Sequence, residues 1–223
     1  MKVPNIISQE VGSERPWIVG IGGTMRAGSS SEAALRFALS AAEKLGARTE
    51  IFAGPDLNLP LYAPELPKRS AEAGLLVAAL RRCDGIIVSS PGYHGSISGL
   101  VKNALDYVED MRGDSRVYFE GRAVGCIVCA QGWQATGSTL AALRSVVHSL
   151  RGWPTPLGVT INSSETRFNP DGSCPNQKIE SALVEMAAQV MSFAGKRPAR
   201  NVMTTVAIDN LRKEREAVCA ADR

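Results

Sequence analysis

Ten residues near the start of the chain, Gly22–Ser31 (GGTMRAGSSS), hold three glycines, four hydroxyl side chains and one arginine, with no acid among them. Glycines let a backbone turn its N–H groups inward as an anion-binding nest, and a following helix presents its positive dipole end to the same place. Thr24, Ser29, Ser30 and Ser31 add hydroxyl donors suited to a phosphate monoester dianion. Arg26 adds a charge that can hold the phosphate, lie over a ring or face solvent. Other glycine-rich templates fit poorly. Gly23 and Gly28 have Walker A spacing, but Ser29 stands where the lysine belongs. The dinucleotide fingerprint begins at Gly20 and Gly22, then fails at Met25, where a side chain blocks close helix–strand approach. A turn that merely caps a helix accounts for one serine and leaves the other hydroxyls unexplained. The loop therefore reads as a site for a single terminal phosphate.

A second loop, Ser89–Ser96 (SSPGYHGS), follows the apolar run GIIVSS. Pro91 stiffens it and ends the strand pattern, Gly92 and Gly95 expose backbone donors and acceptors, and Tyr93 offers a wall to a flat heterocycle. His94 lacks a nucleophile in a G-x-S-x-G elbow, so a triad hydrolase is excluded, and a partly exposed polar residue is its plain reading. Cys126 and Cys129 form a nominal C-x-x-C, but on a strand residues three apart point to opposite faces and cannot chelate or cross-link. Cys83, Cys174 and Cys219 are scattered, and His94 and His148 are the only histidines, so no zinc set assembles.

The elements that must position these loops alternate. Apolar runs at 17–21, 47–53, 85–90, 122–130 and 157–161 read as strands. Helical spacing recurs over 31–46, 70–83, 98–111, 136–150 and 177–193. Five strands alternating with five helices predict a three-layer α/β domain, a five-stranded parallel sheet with helices on both faces. Ligands in such folds sit beyond the carboxyl ends of the strands where strand order reverses, which selects the loops after Ile21, Ser90 and Ala130. The domain is expected over 17–195, with 1–16 as a flexible arm and 196–223 as a tail, possible helix and oligomer contact in one.

The chain has 223 residues, 44% of them hydrophobic, and a formal net charge of +3, which suits a folded domain with a full core. No clustered basic run marks a nucleic-acid partner. No apolar stretch approaches the ~18 residues of a membrane span, and residues 1–16 lack the apolar core of a secretory signal, so a cytoplasmic protein is expected.

GTMRAGSSS resembles the G-S-x-R-x-x-S-x-N phosphate loop of the NAD(P)H-dependent FMN reductase family, flavodoxin-like flavoenzymes. SPGYHGSISGLVKNALDYV resembles that family's S-P-E-Y-N-G-S-x-x-G-x-x-K-N-A-L-D-W segment, and the likeness covers about Trp17–Phe193. The resemblance implies bound FMN, its phosphate held at Thr24, Arg26, Ser29 and Ser31 with Ser30 between, and its ring facing Pro91, Gly92, Tyr93, His94 and Gly95. Ala130, Gln131 and Gly132 would form the third flavin-side loop. Ser31 replaces an asparagine on the phosphate side and, being shorter, calls for a bridging water; Gly92 replaces a glutamate and His94 an asparagine, departures that bear on substrate choice more than on flavin binding.

The implied activity is hydride transfer from C4 of NADPH or NADH to flavin N5, then reduction of a small-molecule acceptor: free flavin, quinone, azo dye, metal oxyanion or oxygen. A flavin-dependent monooxygenase receiving reduced flavin is a further implied partner, and a homodimer or homotetramer the implied assembly. No catalytic side chain and no metal is required, because the cofactor performs the reaction. Backbone N–H groups of Tyr93–Ser96 or Gln131–Trp133 can stabilise charge on the ring. Trp133 reads as core or interface, with a stacking role as the alternative. Two other classes stay open. One is a one-electron flavodoxin-like carrier, usually far more acidic than this chain; the other is a nonredox phospholigand-binding module.

Overall fold

The computed structural model describes residues 15–66 and 68–194. The expected tail and nearly all of the expected arm lie outside them. At the boundary, Arg15 donates to the carbonyls of Gly46 and Ala47, and Pro16 O accepts from Arg48 N.

The chain alternates as its hydrophobic periods require. It runs β1 (Trp17–Gly22), α1 (Ser30–Lys44), β2 (Arg48–Ala53), α2 (Ala71–Arg82), β3 (Gly85–Tyr93), β4 (Ser96–Ile97) and α3 (Gly99–Asp106). It continues through β5 (Ala123–Ala130), α4 (Trp133–Ser149), β6 (Trp153–Pro154), β7 (Val159–Asn162) and α5 (Gln177–Ala194). The sheet order is β2-β1-β3-β5, with β6 and β7 both pairing the outer side of β5 in parallel. Strand order reverses between β1 and β3, the position at which such sheets hold their ligands.

Four features differ from the sequence reading. The fifth parallel strand is split into β6 and β7, because Pro154 and Pro156 lack the N–H groups a continuous ladder needs. The two-residue β4, antiparallel to β3, adds a strand to the five expected. β3 also runs through Pro91 to Tyr93 instead of stopping at the proline. Ser89 O accepts from Gly23 N on the β1 side, so the missing N–H of Pro91 faces the same side two residues on, past the last β1 residue in the ladder. Finally, α3 ends at Asp106 and tightens into a 3₁₀ turn, Tyr107–Met111, within the segment expected to be one helix.

Each face of the sheet carries its own core. Val19, Ile21, Ile86, Val88, Val124 and Val128 pack with α2, α3 and α4, while Ile18, Ile87, Ile127 and Ile161 pack with α1 and α5. Cys126 falls in the first cluster and Cys129 in the second, so the C-x-x-C is divided by the sheet as its spacing requires. Burial pushes both thiols up to about 12, which keeps them protonated and inert.

The proline-rich segment after β2 is fixed to the far side of α3. Arg69 makes a bidentate pair with Asp110 (2.8 and 2.8 Å), Tyr62 Oη donates to the same carboxylate (3.1 Å), and Asn103 Nδ2 donates to Pro60 O (2.9 Å). The Arg69 hydrogen bond holds the Asp110 carboxyl below its ordinary range.

Candidate functional site

The β1–α1 loop is built around β3. Gly22 lies against it so closely that a Cβ there would collide with the Ser89 carbonyl oxygen. Gly23 (φ +95°) and Gly28 (φ +66°) occupy the left-handed region, which turns the loop toward α1. Ser29 is the N-cap of α1, its Oγ accepting from Glu32 N (3.3 Å), and Ser31 Oγ lies 3.4 Å from Ser29 Oγ. Ser89 Oγ donates to Ser31 O (2.7 Å), tying β3 to the start of the helix. Thr24 Oγ1 accepts from Arg26 N (3.2 Å) within the loop. Three of the four hydroxyls, those of Thr24, Ser29 and Ser31, thus do local work, while Ser30 and the exposed Arg26 guanidinium have no side-chain partner among the described residues. The first amides of α1, on Ser30 and Ser31, have no acceptor within the helix. The loop can therefore offer an anion two amides, a hydroxyl and a guanidinium.

After β3 the chain reverses in two residues. Tyr93 pairs with Ser96, and His94 (φ +52°) and Gly95 (φ +83°) both lie in the left-handed region, the signature of a type I′ hairpin. Histidine tolerates that conformation better than most side chains, so His94 serves the backbone here. Its imidazole has no hydrogen-bond partner among the described residues. Gly92 sits just before the turn, with Thr139 Oγ1 2.9 Å and Ala130 Cβ 3.1 Å from where a Cβ would stand.

α4 begins at Trp133, three residues before the helical periodicity, and its N-cap is Gly132, which has no side chain to cap it. The amides of its first turn are left for a ligand. Between this helix start and the hairpin lies a cavity of about 600 Å³, lined by Gly92, His94, Gly95, Ala130, Gln131 and Gly132, and by Gln134, Ala135 and Ser138 of α4. Beneath it Thr139 Oγ1 is buried without a hydrogen-bond partner among the described residues.

Six of the residues singled out in the sequence meet at this cavity. Pro91 is buried below it and Tyr93 is 53% exposed beside the turn; neither lines it. Thr24, Arg26, Ser29, Ser30 and Ser31 stand at the end of β1, across β3 from β5, and do not line the cavity either. Gln134, Ala135 and Ser138 were missed because their helix was expected to start at Thr136; Gly132 before a helical run was the available signal. Trp133, read as core or interface, is 54% exposed.

A parallel sheet of order 2-1-3-4-5, with its glycine-rich loops at one edge, defines a flavodoxin-like α/β domain. Solved structures share the fold. RosB, solved with 8-demethyl-8-formylriboflavin 5'-phosphate, superposes with a TM-score of 0.66 at 14% identity, over 89% of this chain and 87% of that one. The NAD(P)H:(acceptor) oxidoreductase FerB of Paracoccus denitrificans gives 0.59 at 20% identity, over 81% and 98%.

Residues 16–166 match the NADPH-dependent FMN reductase family, and the chain belongs to it. An FMN-dependent NADPH-azoreductase of Staphylococcus aureus is 36% identical over 90 residues, 40% of this chain and 44% of that relative. The chain therefore spans less than half the length of the curated relative it matches. Among the described residues, no helix is long and apolar enough to cross a membrane.

Proposed function

We propose that this protein is an FMN-dependent oxidoreductase that takes electrons from NADPH or NADH and passes them to a small aromatic acceptor. The observation that carries this reading is the pairing of an uncapped α4 start with a glycine-bounded cavity, one strand away from a hydroxyl-rich, cation-bearing helix start.

The residues fit the cofactor at both ends. The free amides of Ser30 and Ser31, the Ser30 hydroxyl and the Arg26 guanidinium match a phosphate dianion. At the other end, Gly92, Gly95 and Gly132 present bare backbone to a planar ring, and about 600 Å³ lies within the range of small-ligand sites. When bound, the flavin supplies hydride acceptance at N5 and electron delivery to the acceptor.

The chain's own groups bind, orient and tune. Ser29 fixes the start of α1, leaving the amides of Ser30 and Ser31 without an acceptor within the helix. The type I′ turn folds the chain back so that Gly92 and Gly95 both line the cavity. The unsatisfied first-turn amides of α4 and its positive dipole end favour negative charge on the ring side of the cavity. No side-chain acid or base takes part.

The name of the Staphylococcus aureus relative supports NADPH as donor and an azo compound as one acceptor class, and RosB shows that this fold accommodates a flavin phosphate. The test is direct. Protein incubated with FMN and desalted should retain flavin absorbance, and anaerobic NADPH should bleach it without a separate reductase. Retention without bleaching would leave a passive carrier, and loss of flavin on desalting at micromolar protein would defeat the reading.

A further inference from the structure

Trp133 leaves just over half of its surface in water, yet its indole is held in place. Nε1 donates to Glu165 Oε1 (2.9 Å), and that oxygen also accepts from Asn162 Nδ2 (2.6 Å). Asn162 is the last residue of β7, 6% exposed, and opposite Ala130 in the sheet. Its side-chain oxygen accepts from Ser164 N, and its carbonyl accepts from Glu165 N and Thr166 N. Glu165 thus rises from a tight turn anchored to the sheet beside the cavity-lining residue Ala130. Asn176 Nδ2 braces the same turn through Thr166 Oγ1 (3.1 Å).

That hydrogen bond grips the indole by its edge, and no ring or cation stacks on it among the described residues. Gly132 and Gln134, on either side of Trp133 in sequence, line the cavity, whereas Trp133 does not. Trp133 therefore stands between two residues of the cavity wall, its exposed indole fixed by Glu165.

We infer that Trp133 is a stacking wall for the planar aromatic acceptor, with Glu165 and Asn162 as its positioning residues. The inference rests on the flavin reading and adds to it the choice of acceptor. A fixed indole selects planar aromatics such as azoarenes over non-aromatic electron acceptors, and the carboxylate removes the rotamer freedom that stacking would otherwise have to freeze.

The test is equilibrium binding of methyl red to the oxidised, FMN-loaded protein without electron donor. Trp133→Ala and Glu165→Ala should weaken methyl red about tenfold, equivalent to about 1.4 kcal/mol, with FMN affinity within twofold of the parent. Trp133→Phe, which keeps a flat face, and Glu165→Gln, which keeps an acceptor oxygen, should restore most of that affinity. In turnover, the ratio of KM for methyl red to KM for ferricyanide should rise about tenfold in the alanine variants. Unchanged methyl red affinity in Trp133→Ala, with FMN bound, overturns the inference, as does loss of an oligomer on sedimentation at unchanged dye affinity, which would make Trp133 an interface anchor. Failure of the parent protein to bind FMN is a different result; it removes the flavin reading and this inference with it.

Discussion

The helix starts after β1 and after β5 open on the same edge of one sheet, yet they are finished differently. α1 is capped by the Ser29 hydroxyl, α2 by Ser70, α3 by Ser98, and Asn176 accepts from the first turn of α5; α4 begins on Gly132 with nothing. A serine cap satisfies one amide and fixes the geometry of the next two, whereas a glycine cap leaves the first turn open. The β1–α1 end therefore offers directed donors and a cation, a site that reads charge. The β5–α4 end offers bare backbone and a cavity wall, a site that reads shape. The proposed cofactor, with a dianionic tail and a flat head, matches both.

Substitutions that touch one end only can break that division. The largest expected effect is Gly22→Ala, which drives a methyl group into the Ser89 carbonyl and wedges β1 from β3. We expect a loss of about 3 kcal/mol in urea unfolding; an unchanged midpoint would mean the two strands part easily there.

Next is Asp110→Asn, away from both loops but bracing α3 just beyond the hairpin. It should cost about 2 kcal/mol at neutral pH, as expected for charge-assisted bonds. Because the folded-state pKa is depressed, this contribution is complete above the ordinary aspartate value near 3.8 and is lost as pH falls through the lower folded value. Denaturation at pH 7 and pH 3 should show the gap between variant and parent shrinking in acid. A constant gap would rule out the carboxylate pair as its source.

Arg26→Ala and Gly92→Ala sharpen the comparison when read as a pair. Arg26→Ala should weaken FMN about tenfold, or about 1.4 kcal/mol, while leaving riboflavin, which has no phosphate, unchanged. Gly92→Ala crowds Thr139 Oγ1 and Ala130 Cβ at the cavity floor and should weaken FMN and riboflavin equally. Fluorescence titration with both ligands separates the cases. Equal effects of Arg26→Ala on the two flavins would place the arginine over the ring and collapse the distinction between the ends.

The smallest effect is expected of His94→Asn. Asparagine is the preferred first residue of a type I′ turn, so flavin affinity should hold and thermal stability rise by about 0.5 kcal/mol or less. A loss of flavin binding would give the imidazole a contact that the hairpin alone does not explain.

Much of this was legible in residue order because local periodicity survives folding. The alternation of apolar runs with 3.6-residue patterns placed every principal strand and helix, and the glycines and hydroxyls of Gly22–Ser31 marked the donor-rich loop after β1. Boundaries were harder where tertiary contacts overrode local rules. Pro91 stays within β3 because its missing N–H faces the side past the β1 ladder, a fact about a neighbouring strand. The fifth strand broke where prolines met the ladder of β5, and α4 started three residues early because Trp133, Gln134 and Ala135 add a first turn that no hydrophobic period announces.

The amino-acid order alone thus determined the fold class and the donor-rich make-up of the β1–α1 loop, since both depend on residue types within a few positions of one another. Tertiary structure alone decided that Gln134, Ala135 and Ser138 line the cavity, that Gly92 has no room for a side chain, and that Glu165 holds the Trp133 indole. Each of those facts is a distance between segments far apart in the chain, set by how the helices pack on the sheet.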